Sequence, residues 1–440
     1  MSRTIGRAIA GNVLAGAIGR LVTALGPILV APLMIREWGL ATYGEWLVVT
    51  AIPTYVMLSP DFGLAGAIVN RMPFLAAGGR HDEALALYRS GFAVLFAASA
   101  AFAIAGWLAA GAMGWSWLGV HSLAGPAAVA IVGWSCAQIF VAQQNFLISG
   151  IYRSARRNAR YSGLGTAEAA LQLAVAIAVL SRGGAPVTYA FAMAATRAAF
   201  FIVVFVDSRR IAPGFTLSWR GVSIRAVRPY VMPGLGLAGM PLVNALQNQG
   251  VLLVLGALLG PASVGGFQTA RVLANGVKSL YGVLSTAVTM EIPALLGEGR
   301  ARTVEHLVVR NVQAGAAFAA AAIAGTVVAG EWIYTLWLHG RVAYDAPLVL
   351  VLMASLVPSL CGQAFVNLSM ARNEIHRVMP ILVVAALASL AVSALGARLV
   401  GTVGAAIGIV AWEAALAYLV WRRIPAAFRL DMGELMALRR

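Results

Sequence analysis

The chain has 440 residues, of which 60% are hydrophobic and 11% are charged, and its mean hydropathy is +0.83. Soluble domains carry about 25% charged residues, so this composition excludes a soluble globular protein and predicts a protein of the lipid bilayer. A net charge of +16 would suggest nucleic-acid binding in a soluble protein. Here the basic residues fall between apolar stretches, so membrane topology explains them better and we expect no nucleic-acid partner.

Apolar stretches long enough to span a bilayer recur along the whole chain. We place them near residues 9–35, 43–70, 88–112, 123–149, 161–181, 187–206, 229–256, 262–290, 307–330, 346–370, 377–398 and 402–421. Stretches of this length predict an all-α integral membrane protein with about twelve transmembrane helices, and not a β-barrel with strands of about ten residues. The connections between the stretches are too short for a separate aqueous domain.

Basic residues alternate between the two sides of this predicted bundle. One side carries only Arg36, Arg182, Arg341 and Arg398 outside the spans, whereas most of the remaining arginines fall on the other side. By the positive-inside rule, the arginine-rich side, which includes both termini, is predicted to be cytoplasmic.

An internal repeat divides the chain into two similar halves. Gly39–Gly44 follows the first predicted span, and Gly260–Gly265 follows the seventh at an offset of 221 residues. Pro73–Arg80 aligns in the same way with Pro293–Arg300. Matching loop motifs at one offset predict a duplication with parallel repeats.

The repeat defines the domains that we expect. They are an N lobe with helices 1–6 (residues 1–206), a basic cytoplasmic linker (207–228), a C lobe with helices 7–12 (229–422) and a basic cytoplasmic tail (423–440). Two six-helix lobes with a cleft between them are typical of alternating-access carriers, which bind substrate near the midplane. A channel or a scaffold built from two bundles is the alternative.

Several motifs resemble those of a known family. The stretch Pro32–Trp46, followed by Asp61-Phe62-Gly63 and Asn70-Arg71, resembles the first two helices of Wzx-type polysaccharide flippases. These belong to the multidrug/oligosaccharidyl-lipid/polysaccharide (MOP) exporter superfamily. Gly260–Leu273 is similar to the junction of that family's seventh and eighth helices.

The resemblance implies a MATE-like fold with two lobes in a V, and a transporter that is not an enzyme and needs no cofactor. Its implied activity is to move an undecaprenyl-diphosphate-linked oligosaccharide from the cytoplasmic to the periplasmic leaflet of the bacterial inner membrane. The oligosaccharide would be an O-antigen, capsule or exopolysaccharide unit, as in polysaccharide or lipopolysaccharide biosynthesis. The implied partners are this lipid, the membrane lipids, and the glycosyltransferases and polymerase of the pathway.

Cationic residues inside the predicted spans are the main substrate-binding candidates. In span 8, Gln268, Arg271, Asn275 and Lys278 recur at helical spacing and share one face. An ionisable residue in a span faces a cavity or a partner, and a diphosphate needs charge-assisted donors. The resembled family places cavity-facing cations in spans 1 and 8. We therefore predict that Arg20, Arg271 and Lys278 bind the lipid diphosphate.

The competing interpretation is that these cations pair with Asp61, Glu291 or Glu413 and lock helices together. Asp61 and Glu291 are also candidates for ion coupling or gating. Arg197 has no polar companions at helical spacing, so we expect it to pack or to extend toward the basic end of its span. For Glu168, we expect a structural pair with Arg160 or Arg157.

Amide side chains inside spans are candidates for binding saccharide hydroxyls. The predicted polar lining of the cavity consists of Asn12, Gln138, Asn145, Asn244, Gln247, Asn248, Gln268, Asn275, Gln363 and Asn367. Interhelical hydrogen bonds are the competing use of such residues in membranes. Three prolines and three glycines between Pro229 and Pro241 predict a bend in span 7.

Two other functions compete with the flippase. A cation-coupled multidrug exporter of the same superfamily needs acidic residues in the cavity, whereas span 1 offers Arg20 and no carboxylate. A membrane glycosyltransferase or polymerase would carry acidic or arginine-rich residues on large periplasmic loops, whereas the outer loops here are short. Cys136 and Cys361 both lie in apolar stretches, so we expect packing roles, with no disulfide and no metal site.

Overall fold

The computed structural model of the protein describes residues 19, 22–23, 25–58, 63–123, 125–215, 222–298, 300–371 and 378–423. The predicted site residues Asn12, Arg20 and Asp61 lie outside these ranges. At some positions within helices, including Glu291, only the backbone is described.

The regular structure in the described ranges is helical. The helices are α1 (25–38), α2 (Leu40–Leu58), α3 (Leu64–Ala77), α4 (His81–Ala112), α5 (Pro126–Ser154), α6 (Asn158–Ser181), α7 (Pro186–Ile211), α8 (Ile224–Val227), α9 (Val231–Ala245), α10 (Val251–Leu259), α11 (Pro261–Gly297), α12 (Ala301–Leu338), α13 (Ala346–Ala354), α14 (Leu356–Ala371), α15 (Met379–Val400) and α16 (Thr402–Arg423). A π-helical turn, Leu246–Gly250, joins α9 to α10.

Nine passages in the described ranges are long and apolar enough to cross a membrane. They are α4, α5, α6, α7, α9–α10, α12, α13–α14, α15 and α16. With α1, the α2–α3 pair and α11, the fold agrees with the predicted set of about 12 transmembrane helices. The protein is therefore an all-α, multi-pass membrane protein.

Two predicted spans differ in detail from the helices observed. The predicted span 43–70 is interrupted, because α2 ends at Leu58 and α3 begins at Leu64, after Gly63 in the left-handed conformation (φ 72°). Span 7 remains helical through Pro241, and its discontinuity lies one turn later, in the π-helical turn. The prolines therefore do not coincide with the irregular turn.

The internal repeat is visible in the backbone. Gly39 (φ 82°) and Gly260 (φ 83°) are both left-handed, and each directly precedes a helix, α2 and α11 respectively. Arg80 (φ −87°, ψ 54°) and Arg300 (φ −85°, ψ 54°) likewise precede α4 and α12 with nearly equal dihedral angles. Equivalent residues of the two halves thus adopt equivalent conformations, as duplication predicts.

The two copies of the first repeat motif pack against each other. A Cβ on Gly44 would overlap the carbonyl group of Pro261, and a Cβ on Gly265 would overlap the carbonyl oxygen of Leu40. Because Leu40 and Pro261 are equivalent in the repeat, as are Gly44 and Gly265, the contact is reciprocal, as at a two-fold axis. We call this contact the glycine seal.

The hydrophobic core shows which end of the bundle is closed. Around the glycine seal, at the arginine-poor end, one continuous core includes Trp46 and Val48 of the first half with Leu255 and Phe267 of the second. At the arginine-rich end the core is divided. One cluster, around Tyr152, lies in α3–α5, α7 and α8, and the other, around Trp412, lies in α9, α11, α12 and α14–α16. The core is therefore continuous between the halves at the arginine-poor end and divided at the other, where the halves still meet because a Cβ on Gly234 of α9 would lie 3.0 Å from the backbone of Leu64 in α3. We call the space between the two divided clusters the cleft.

Candidate functional site: the cleft between the two halves

Three asparagines are exposed although they lie well inside membrane-spanning helices: Asn244, Asn248 and Asn275. A rise of 1.5 Å per residue puts Asn248 about 17 Å from the end of α10 and Asn275 about 21 Å from the beginning of α11. This is near the middle of a hydrocarbon core about 30 Å thick. Because lipid chains offer no hydrogen-bond partners, we assign these amides to the water-filled cleft.

The guanidinium of Arg271 hydrogen-bonds to residues of the π-helical turn. It donates to the carbonyl oxygens of Gln247 (2.9 Å) and Asn248 (3.1 Å) and to the side-chain oxygen of Asn248 (2.8 Å). A π-helical turn interrupts the regular backbone ladder, and Arg271, only 7% exposed, supplies donors to it. The sequence predicts a substrate-binding role for Arg271, whereas the structure places its guanidinium on the protein's own backbone.

The same turn connects three further elements. Tyr55 of α2 donates its hydroxyl to the carbonyl oxygen of Ala245, at 3.0 Å. Gln247 donates its amide to the carbonyl oxygen of Ala386 (3.1 Å) and to the hydroxyl of Ser389 (2.7 Å), both in α15. Gln247, a predicted saccharide ligand, thus makes interhelical hydrogen bonds. A single tyrosine in an apolar helix carries no pattern, so the sequence does not predict this role of Tyr55.

Lys278 forms an ion pair with Glu413 of α16, with 2.9 Å between Nζ and Oε1. This agrees with the competing interpretation in which the cations of span 8 pair with carboxylates. The lysine side chain is still 36% exposed, and the glutamate 14%. Because an ammonium group has three donor hydrogens, Lys278 keeps donor capacity toward the cleft.

A second polar cluster lies in the first half. Glu168 of α6 pairs with Arg197 of α7, with 2.9 Å between Oε1 and Nε. The expected pair of Glu168 with Arg160 or Arg157 is therefore wrong. Arg160 lies near the beginning of α6, where it reaches Asp207 near the end of α7 (2.9 Å between Nε and Oδ2). Glu168 lies deeper, at the level of Arg197.

Amides of α5 and α6 surround this ion pair. Asn145 of α5 lies 3.5 Å from Glu168, between Nδ2 and Oε2. The amides of Gln138 and Gln172 also lie 3.5 Å apart. With its oxygen turned toward Arg197, Gln172 accepts from Nε at 3.0 Å. The predicted saccharide ligands Gln138 and Asn145 therefore contribute to contacts between helices.

A cavity of about 460 Å³ lies between α1, α2, α6, α7 and α11. Its polar lining includes Thr23, Gln172, Arg197 and Gln268, and its aromatic lining consists of Tyr43, Trp46 and Tyr189. Among the described residues, the buried side-chain oxygen of Gln268 has no hydrogen-bond partner. We call this space the apex cavity, because it lies beside the closed end of the cleft.

The remaining predicted residues lie elsewhere. Gln363 donates to Asn367 within α14, at 2.9 Å. Glu291 belongs to α11, but its side chain is outside the described part of the structure. Within the described ranges, no group of three or more His, Cys, Asp or Glu residues is arranged to hold a metal ion.

Solved structures resemble this chain over nearly its full length. A multidrug-resistance MATE family transporter of the MOP superfamily in an inward-facing conformation has a TM-score of 0.63 at 17% identity and covers 93% of this chain and 92% of its own. The chain has the MATE transporter fold. The eukaryotic MATE transporter AtDTX14 matches with a TM-score of 0.64 at 16% identity, covering 94% of each chain.

A third similar structure is a MOP superfamily transporter from Pyrococcus furiosus. The polarity of its binding pocket is described as reversed, which suggests a different function for that protein. It has a TM-score of 0.60 at 17% identity and covers 94% of this chain and 93% of its own. The sequence matches no family model and no curated protein. These neighbours are transporters, and the likeness shows that this chain shares their fold.

Proposed function

We propose that the protein is an alternating-access flippase that moves an undecaprenyl-diphosphate-linked oligosaccharide from the cytoplasmic to the periplasmic leaflet of the bacterial inner membrane. The observation that carries the proposal is an excess of positive charge at mid-depth. Arg197, Arg271 and Lys278 lie in the central part of the described spans, facing Glu168 and Glu413. Among the described residues, Arg271 donates only to carbonyl and amide oxygens, so no described carboxylate contacts its charge.

This charge distribution favours an anionic substrate. A carrier of cationic drugs needs a carboxylate free to hold the cation, whereas both mid-depth glutamates of the described spans are paired with cations. A diphosphate that enters the cleft meets the ammonium of Lys278 and the exposed amides Asn248 and Asn275, all of which donate hydrogen bonds. The Pyrococcus furiosus neighbour supports this proposal by analogy, since its binding pocket is described as reversed in polarity.

The geometry also supports a direction of movement. The core is divided at the arginine-rich end, which the positive-inside rule assigns to the cytoplasm, so we infer that the cleft opens there, whereas the glycine seal closes the opposite end. In this conformation the headgroup enters from the cytoplasmic leaflet while its polyprenyl chain remains in lipid. Opening of the glycine seal then exposes the headgroup on the periplasmic side.

Transport in proteoliposomes tests the proposal. The substrate is a fluorescent undecaprenyl-diphosphate-linked oligosaccharide placed in one leaflet, and the readout is its appearance in the other. We expect rapid transfer by the native protein and roughly tenfold slower transfer by Lys278→Gln, since a charge-assisted hydrogen bond is lost. Arg341→Gln, in an exposed loop at the arginine-poor end, is the matched control. Efflux of a cationic dye without lipid transfer would assign the protein to the multidrug exporters instead.

A further inference from the structure

The apex cavity has the size and depth of a ligand site. Its volume of about 460 Å³ lies within the range of about 300–1,000 Å³ that is typical of small-molecule pockets. Tyr189 and Arg197 line it from α7, at levels about 12 Å apart along the helix axis. The cavity therefore extends from the middle of the membrane toward the glycine seal.

One end of the apex cavity is a rigid aromatic wall. The rings of Trp46 and Tyr189 meet edge to face with centroids 5.4 Å apart, and Trp38 packs on both rings, at 5.4 Å from Trp46 and 5.8 Å from Tyr189. Trp38 is fixed by a 2.8 Å hydrogen bond from its indole nitrogen to the carbonyl oxygen of Gly184. The negative face of an aromatic ring attracts the weakly positive C–H edges of a ligand, so this wall suits a ring that presents C–H groups.

The other lining groups are polar, with little net charge. Arg197 is neutralised by Glu168 at 2.9 Å, and no carboxylate is among the residues that line the cavity in the described part of the chain. Gln172 and Gln268 offer amides, which both donate and accept hydrogen bonds. The side-chain oxygen of Gln268 is buried and has no partner among the described residues, which costs about 1–3 kcal/mol. A rotation of this amide into the cavity would let the oxygen accept from an O–H or N–H donor.

An uncharged ring with C–H faces and several hydroxyl groups satisfies all of these features. We propose that the apex cavity binds a sugar ring of the lipid-linked oligosaccharide, with Gln268 accepting from a sugar hydroxyl and the Trp46–Tyr189 wall packing on the ring. This inference rests on the proposed function, and it assigns the diphosphate and the sugar to different places. The diphosphate lies at Lys278 and the cleft asparagines, and the sugar lies next to the glycine seal.

Binding measurements in nanodiscs separate the two places. The probes are undecaprenyl diphosphate alone and the same lipid bearing N-acetylglucosamine or galactose, with binding measured by quenching of tryptophan fluorescence. We expect the native protein to bind at least one sugar-bearing lipid about tenfold more tightly than the bare lipid. Gln268→Leu removes the acceptor at similar volume, so it should abolish this preference and leave the affinity for the bare lipid unchanged.

Controls make each result decisive. Gln313→Leu replaces a partly buried glutamine of α12 outside the cavity lining and should keep the preference. Lys278→Gln should weaken both lipids equally. Tyr189→Leu, which removes part of the wall, provides a second test of the preference if Gln268→Leu does not fold. Equal binding of bare and sugar-bearing lipids by the native protein, or a preference that survives both cavity variants, refutes the sugar site alone. No binding of any of the lipids refutes the proposed function as well.

Discussion

The hydroxyl of Tyr55 donates a 3.0 Å hydrogen bond to the carbonyl oxygen of Ala245, from one half of the protein to the other. Ala245 is the last residue before the π-helical turn, and a Cβ on Gly250, at the end of that turn, would meet the Tyr55 hydroxyl. The contact is thus close as well as hydrogen-bonded. It joins the halves at the point where the seventh span departs from α-helical geometry.

Removal of this hydroxyl should shift the conformational equilibrium. In Tyr55→Phe the ring still packs, but the contact between the halves loses a hydrogen bond worth about 1 kcal/mol. We therefore expect the population of the state open at the arginine-rich end to fall by roughly fivefold relative to its alternative. Spin labels on His81 and Glu298, at the arginine-rich end of the two halves, measure the distance distribution after both native cysteines are replaced by alanine. Tyr418→Phe, on the exposed surface of α16, should leave the distribution unchanged.

The glycine seal offers a matched pair of substitutions at adjacent positions. A Cβ on Gly265 would overlap the carbonyl oxygen of Leu40, whereas a Cβ on Gly266 would meet nothing within 4 Å. Gly265→Ala should therefore hold the arginine-poor end open, and Gly266→Ala should not. Val48, fully buried beside Gly256, is the reporter when replaced by cysteine. An impermeant maleimide should label Val48→Cys faster in the Gly265→Ala background only; equal labelling in both backgrounds would contradict the role of the seal.

The membrane spans and the repeat were predictable from the sequence because both depend on local composition. Apolar length determines which segments cross the bilayer. Gly39 and Gly260 mark the starts of two helices, because the residue before each helix has a positive φ that glycine adopts without strain. The reciprocal contacts of Gly44 with Pro261 and of Gly265 with Leu40 then follow from duplication and the symmetry of the interface. The interruption between Leu58 and Leu64 falls on Ser59-Pro60-Asp61-Phe62-Gly63, a sequence typical of a turn that the predicted span 43–70 includes.

The partners of the polar residues could not be predicted from the sequence. Helical spacing shows which residues share a face of a helix, but it does not show which other helix packs against that face. Gln268, Arg271 and Lys278 do share a face of α11. Even so, Gln268 lines the apex cavity, Arg271 binds the π-helical turn and Lys278 pairs with α16. The π-helical turn itself has no local signal, since the donors that satisfy it come from other helices. For the same reason the ion pair of Arg197 with Glu168 could not be predicted, and the expectation that Arg197 packs or extends toward the basic end of its span is wrong.

Arg271 should be needed for stability more than for substrate affinity. Arg271→Met keeps much of the buried volume but leaves two backbone carbonyl groups and the Asn248 side chain without their donor. We expect the free energy of unfolding to fall by about 2–4 kcal/mol, seen as a lower Tm in detergent. Arg271→Lys should recover part of the loss, because an ammonium still donates but lacks the planar fork. Arg310→Met, at an exposed position of α12, should change little. An unchanged Tm in Arg271→Met would show that the π-helical turn does not depend on this residue.

Glu413 and the substrate compete for the ammonium group of Lys278. Substitutions of Glu413 and of Lys278 should therefore have opposite effects on substrate affinity. Glu413→Gln frees Lys278 from its 2.9 Å partner, so the affinity for undecaprenyl diphosphate should rise severalfold. Lys278→Gln should lower this affinity by about tenfold, and the double variant should behave like Lys278→Gln. Binding measured in nanodiscs at two salt concentrations checks the charge dependence, since a partly exposed pair is screened by salt.

A purely structural pair would give a different pattern. Both single substitutions would then lower Tm, the double variant Lys278→Gln/Glu413→Gln would recover stability because no unpaired charge remains, and none would change the affinity. The sign of the Glu413→Gln effect decides between these roles. A rise in affinity requires that the ammonium of Lys278 reach a ligand in the cleft, which its 36% exposure allows. If the pair only holds α11 and α16 together, Glu413→Gln should not raise the affinity.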